Sequence, residues 1–267
     1  MKGRVLERIL LWLTLFISLM TLLSVMLPPK DINQYTIKGK YDKELAVVDN
    51  VRELNSTVLK HWGDRPFTDS LAFAELIDSV LSLRFYHGTS RYNFHENYIA
   101  FFLGYLFWDD LSMIALPDEI LKKNMAVCNQ INIVFQEVLR TYNFQFRTVG
   151  WNNHLITEVR ISGAWFVFDS DYEPVFEKRP SSESLLSDNV YFRSIYKKTP
   201  GDQFNDNFES IMSTKTAHYS TINQELAPNL KRFQRLSLFL SKKVWIVLIL
   251  LFAITKYLNY VRNMRIS

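Results

Sequence analysis

From Ile9 to Leu27 the chain reads ILLWLTLFISLMTLLSVML, a run without a single charge. At a helical rise of about 1.5 Å per residue it approaches the hydrocarbon thickness of about 30 Å, so a membrane-spanning helix is predicted over residues 9–27. A cleaved signal peptide is the competing reading, with Lys2, Arg4 and Arg8 as its basic lead. Against it, the run is long and passes into Pro28-Pro29 without a small-x-small cleavage site. A second span is predicted over residues 236–258. Leu236 to Leu240 is apolar, Ser241-Lys242-Lys243 interrupts with lysines able to snorkel, and Val244 to Ile254 is apolar again. A helix lying on the membrane surface is the alternative for this segment.

Basic residues lie outside both runs, at Lys2, Arg4 and Arg8 and at Lys256, Arg262 and Arg265. The positive-inside rule then makes residues 1–8 and 259–267 cytoplasmic, and gives a two-pass protein of the inner (plasma) membrane with an extracytoplasmic middle. Lys231, Arg232, Arg235, Lys242 and Lys243 weaken the contrast from the other side of the second span. The net charge of +4 belongs largely to these flanks. The middle of the chain has no dense basic run with interleaved aromatics, which argues against nucleic acid as a partner. With one cysteine, Cys128, no intrachain disulfide can form, and a free thiol in an oxidising compartment calls for a chemical reason.

Between the predicted spans, residues 28–46 read as a polar tether, 47–200 as the folded domain and 201–235 as a helical or linker lead into the second span. Apolar residues at helical spacing from Val47 to Leu83, broken at Gly63 and Pro66, predict two helices. Tyr98 to Leu106 is apolar nearly all round and predicts a buried helix. Pro117-Asp118-Glu119 starts a short helix ending near Lys123. Ile131, Val134-Phe135 and Val138-Leu139 mark a helix that begins at Cys128. The period then becomes two, through Phe144–Thr148, His154–Ile161 and Trp165–Asp169, with a turn at Ser162-Gly163. Helices followed by strands give an α+β class.

A thiol is nucleophilic as the thiolate, and the first turn of a helix stabilises that anion through free N–H groups and the positive end of the dipole. For Cys128 alone, a small buried hydrophobe is the commoner fate. Nucleophilic catalysis also needs a base and a group that orients the base. With the hairpin turn centred between Ser162 and Gly163, Asp169 falls opposite Ile156, diagonal to His154 on one strand face and about 7 Å away at the backbone. A one-residue slip would put the two on opposite faces. Asp171, directly across from His154 in the same register, is the rival orienter. Glu158 reads as a rim carboxylate pairing with Arg160 or Arg147.

The stretch AVCNQINIVFQEVLRTYNFQFRTVGWNNHLITEVRISGAWFVFDSDYEPVF resembles the transglutaminase-like superfamily, and with the two predicted spans a membrane-anchored bacterial member of it. The resemblance rests on Cys128 opening a helix, Leu139-Arg140, Arg147 and Val149, His154 with Glu158-Val159, Gly163-Ala164-Trp165, and Asp169, in that order. The chain departs from the family in having Ala126-Val127 where glycine often precedes the cysteine, and Ser170 where proline commonly follows the aspartate. The resemblance implies a papain-like α+β core in which Cys128 attacks an amide or ester carbonyl, His154 shuttles the proton and Asp169 orients the imidazole. Asn124 and Gln130 are the nearby candidates for an oxyanion side chain.

His87 and His95 flank GTSRYNF without cysteine or acidic residues at ligand spacing, and read as hydrogen-bonded loop residues; His61 and His218 stand alone. No metal or cofactor is expected. The leading expectation is a membrane-anchored thiol enzyme of the cell envelope, a hydrolase or acyl transferase working through a thioester on a peptide, protein or amine-bearing substrate. The alternative is a catalytically idle binding or scaffold domain of an envelope or surface-polysaccharide assembly complex.

Overall fold

The computed structural model describes residues 2–26, 41–197, 210–211 and 213–264, so the readings made for residues 27–40, 198–209 and 265–267 lie outside the described residues. Helix α1 (Lys2–Met26) is followed by α2 (Val51–Trp62), α3 (Ser70–Arg84) and the short strand β1 (Tyr86–His87). Next come α4 (Phe94–Leu106), α5 (Pro117–Leu121) and β2 (Met125–Ala126). The middle holds α6 (Cys128–Thr141), β3 (Gln145–Trp151), β4 (His154–Ile161) and β5 (Ala164–Phe168). The chain continues through α7 (Ser182–Ser187), α8 (Asn189–Tyr196) and β6 (His218–Tyr219) into α9 (Pro228–Met264). The class is α+β, as the shift of period implied.

The chain divides into two units. The first comprises Met1–Ile32, Arg91–Met113 and Asn229–Ser267, and the second Asn33–Ser90 and Ile114–Pro228. Residues 91–113 thus group with the terminal helices and interrupt the 47–200 segment read from the sequence.

In the terminal unit, α4 begins with a capping box in which Asn93 accepts from the Glu96 N–H and Glu96 reaches back to the Asn93 N–H. Its Asn97 side chain donates to the Ser237 hydroxyl at 2.8 Å and accepts from Ser241 at 3.0 Å, while His95 bonds the carbonyl of Ser24. Gly104 allows α4 to press on the following turn, since a Cβ there would lie 2.6 Å from the Ser112 Cβ. The expectation of a helix buried all round is corrected. Tyr98, Ala100 and Gly104 are buried, but Tyr105 and Leu106 are 83% and 63% exposed. Among the described residues no single helix is long and apolar enough to cross a membrane. Leu11–Ser24 is a shorter apolar helix, and within α9 the segments Pro228–Lys243 and Ile246–Leu258 meet at 57° and are long and apolar enough only as a pair.

The central unit is built on an antiparallel sheet of order β5-β4-β3-β6. Ser162 and Gly163 both have positive φ (51° and 87°), as the two-residue turn between β4 and β5 requires. The resulting register pairs Thr157 with Phe168 and Ile161 with Ala164. Both faces of the sheet are covered. On one, Phe135 of α6 meets Phe168 with ring centroids 5.5 Å apart. On the other, Trp151, Ile156 and Val167 form a core with Phe192, Ile195 and Tyr196 of α8.

Other sequence expectations shift here. Beyond Asp171, where the pattern fades, stand α7 and α8, started by the side chains of Ser181 and Asp188 accepting from the third N–H onward. Residues 218–219, expected in a helical lead, form the edge strand β6 on β3. Leu45, assigned to the tether, is buried in a 3-10 turn (Lys43–Val47), so the folded unit starts earlier than residue 47.

Candidate active site

Helix α6 starts without a side-chain cap, because its N-cap residue Val127 has no acceptor to offer. The N–H groups of Gln130 and Ile131 both donate to the Val127 carbonyl, which leaves those of Cys128 and Asn129 outside the intrahelical ladder. The thiol of Cys128 therefore sits at the positive end of the helix, half-buried.

A polar stripe fixes the helix against the sheet. Asn132 donates to the carbonyls of Cys128 (2.8 Å) and Leu155 (2.6 Å) and accepts from the Thr157 hydroxyl. One turn on, Gln136 donates to the hydroxyls of Thr148 and Thr157. These buried groups are satisfied only at one sliding position of α6, which sets Cys128 beside the residue before Leu155. That residue is His154. The i, i+4 spacing of Cys128, Asn132 and Gln136 was visible in the sequence, but polar residues on a core-facing stripe announce nothing until their strand partners are known.

His154 is 1% exposed, and its Nε2–H donates to Asp169 Oδ2 at 2.7 Å. The Cys128 thiol hydrogen-bonds the same imidazole, so Nδ1 is the nitrogen left for it. Burial by itself would lower the imidazole pKa; the Asp169 carboxylate outweighs it, with help from Cys128, and holds the ring well above its usual 6.5. Asp169 is in turn pulled below the ordinary carboxylate range. Its burial is outweighed by the His154 charge and hydrogen bond and by donation from the Tyr172 backbone and the Tyr196 hydroxyl. Tyr196 donates to Oδ2 at 2.9 Å, and the N–H groups of Asp171 and Tyr172 reach Oδ1 at 3.2 Å. The Tyr172 ring packs edge-on to the imidazole at 4.8 Å. The sequence-read Cys128, His154 and Asp169 are thus brought together.

Asp171 does not orient His154. The chain turns after β5, and the Asp171 Oδ1 instead accepts from His87 Nδ1 at 2.7 Å. A carboxylate oxygen of Asp171 nevertheless lies within 4.8 Å of both the Cys128 sulfur and a ring nitrogen of His154. His87 is the residue sequence reasoning missed. It arrives through the parallel pairing of β1 with β2, in which His87 stands opposite Ala126, two residues before the cysteine. Strands of two residues have no periodicity to detect. Burial lowers its basicity, but the Asp171 hydrogen bond and charge prevail and raise it above 6.5. His95 instead hydrogen-bonds the Ser24 carbonyl.

Gln130 is excluded as an oxyanion donor by its commitments, since its amide N–H₂ donates to the carbonyls of Ser90 and Ile114 at 2.8 Å each. Asn124 is half-buried just before β2, and its carbonyl accepts from the Tyr86 N–H. Glu158 is fully buried, not at a rim; it bonds Arg147 and both the N–H and hydroxyl of Ser182. His61 bonds the Thr57 carbonyl, and His218 lines a pocket of about 340 Å³ with Leu155 and Tyr219.

Ser170, the departure from the proline of the resembled family, donates to Asp78 of α3 at 2.6 Å. Burial pushes Asp78 up from 3.8 to about 6 against the pull of Arg179 and Ser170. A raised carboxyl stabilises the fold below its unfolded pKa and loses that contribution as pH rises through about 6. Thermal melts of Asp78→Asn should therefore show a gain over the native chain at pH 7.5, up to about 3 kcal/mol, that vanishes by pH 4. A pH-independent difference would contradict this origin.

No family model matches the chain, and no curated protein or solved structure matches it at a significant level.

Proposed function

We propose that the protein is a membrane-anchored, transglutaminase-like thiol enzyme with a papain-like core that cleaves or transfers acyl groups from an amide or ester through a thioester. The observation that carries this reading is the Cys128 thiol on an uncapped helix start, hydrogen-bonded to an imidazole whose Nε2 is held by Asp169 at 2.7 Å. An imidazole that donates from Nε2 is an acceptor at Nδ1 in its neutral tautomer, which is the form able to take the thiol proton. The sulfur then bonds to the carbonyl carbon and the carbonyl electron pair moves to oxygen, where the positive end of the α6 dipole, with the Cys128 N–H at its start, receives the charge. On collapse the C–N or C–O bond breaks, the leaving group takes the proton from His154, and the thioester remains. Water or an amine resolves it, with His154 taking the proton of the incoming nucleophile.

The membrane part of the proposal is supported by where the large exposed apolar residues fall. In the terminal unit Trp12 and Phe16 of α1, Tyr105 and Leu106 of α4, and Leu250 and Ile254 of α9 are all at least half exposed. Apolar exposure on this scale is characteristic of a lipid-facing surface. With the termini cytoplasmic, as the positive-inside rule reads them, the central unit acts in the envelope on a peptide, protein or amine-bearing substrate.

Intact-mass analysis after exposure to a small thiol-reactive amide mimic tests the chemistry. Labelling of the native chain and not of Cys128→Ser is expected, at a pH near 6 where an ordinary thiol is almost wholly protonated. A folded native chain that takes up no label would favour the idle binding domain.

A further inference from the structure

We propose that Cys128, His154 and Asp171 form a binding site for a thiophilic divalent cation such as Zn²⁺, and that the bound ion switches the thiol off. The sulfur, a ring nitrogen and a carboxylate oxygen of these residues lie within 4.8 Å of one another. Tetrahedral zinc with bonds of about 2.0–2.3 Å separates its donors by roughly 3.3–3.8 Å, so the set closes around an ion by side-chain shifts of about an ångström.

The donors are prepared for a cation in ways the thioester chemistry does not require. Asp171 is 9% exposed, and its Oδ2 is buried with no hydrogen-bond partner while His87 holds Oδ1. A buried carboxylate oxygen without a hydrogen-bond partner is costly, and a cation bound to it would remove that cost. Each ring or carboxylate donor also has an outer partner: Asp169 stands behind His154, and His87 behind Asp171. This carboxylate-backed imidazole fixes the ring orientation and raises its basicity as metal sites do. A thiolate and a carboxylate together neutralise a dication, and the neutral imidazole adds a third bond. Binding displaces the proton that the thiol and the imidazole share, and the S–metal and N–metal bonds form in its place. Sulfur, nitrogen and oxygen with a fourth position open is a donor set suited to zinc over the hard cations magnesium and calcium.

The site rests on geometry alone, and only its inhibitory effect rests on the proposed thiol chemistry. The test is a titration of the metal-stripped full chain in detergent with Co²⁺, read by absorption. The native chain is expected to bind one equivalent, with tetrahedral ligand-field bands and a sulfur-to-cobalt charge-transfer band, all abolished by excess Zn²⁺. Cys128→Ser should lose the charge-transfer band, Asp171→Asn should bind at least tenfold more weakly, and His87→Ala about 10- to 100-fold more weakly. Equimolar Zn²⁺ should protect the native thiol from alkylation. A native chain without the sulfur-to-cobalt band overturns the proposal, whatever the variants do. A folded Asp171→Asn with native affinity also overturns it. Alkylation of the metal-free chain is measured in the same samples, so failure of the metal site and failure of the thiol chemistry are read separately.

Discussion

Asp169→Asn is expected to slow alkylation of Cys128 at pH 6 by about a hundredfold or more, the scale of losing an oriented general base. The asparagine oxygen can still accept from the N–H groups of Asp171 and Tyr172, which at 3.2 Å hold the turn after β5. What the variant loses is the negative charge that keeps the His154 imidazole well above its usual pKa despite complete burial. With the carboxylate gone, burial is left to dominate and the ring turns neutral at lower pH. No imidazolium then stands beside the sulfur at pH 6. The sign of the pH dependence follows: the native chain should keep its labelling rate down into the mildly acidic range, whereas the variant should label only as pH rises toward that of an ordinary thiol. The measurement is the second-order rate with a small haloacetamide from pH 5 to 9, with circular dichroism to establish that the variant is folded. Native and variant profiles that superimpose would remove Asp169 from the proposed chemistry.

The other large effect is structural. Glu158→Ala should destabilise the central unit by about 3–5 kcal/mol, because it strands an ion-pair partner and buried donors together. Glu158 accepts from Arg147 Nε at 2.7 Å and from its guanidinium Nη2 at 2.6 Å, and its other oxygen takes the Ser182 N–H and hydroxyl. Arg147 is sandwiched between the rings of Trp165 (4.4 Å) and Tyr219 (4.0 Å), so it cannot swing out to water without giving up both. The pair thus joins β3, β4, β5, β6 and the start of α7 at one point. Replacing both ions, Arg147→Met with Glu158→Leu, should recover part of the loss, since an apolar pair leaves no buried charge unmatched. Chemical denaturation of the full chain reads both variants. An Ala variant within about 1 kcal/mol of native would mean that water reaches the arginine.

The hairpin register was legible in the sequence because a two-residue turn at Ser162-Gly163 and the strict alternation of β4 leave only one pairing that keeps the apolar residues inside. That pairing carried Asp169 to its place relative to His154, and the helical period beginning after Cys128 located the thiol at a helix start. Local rules of period and turn geometry suffice for both. The same rules say nothing of α7 and α8, whose starts rest on Ser181 and Asp188 and whose value lies in covering a sheet face already formed. They also miss β6, whose two residues pair with Val149 and Gly150 about seventy positions earlier.

The sequence by itself determined the α+β class, the two apolar terminal segments and the order in which thiol, imidazole and carboxylate are delivered. Tertiary structure alone decided which aspartate meets which histidine. Asp169 and Asp171 both lie on the His154 side of the register, and the turn after β5 sends one to His154 and the other to His87. It also decided the place of Arg91–Met113 with the terminal helices, because an apolar helix is equally at home in a core or in lipid and only its packing tells the two apart.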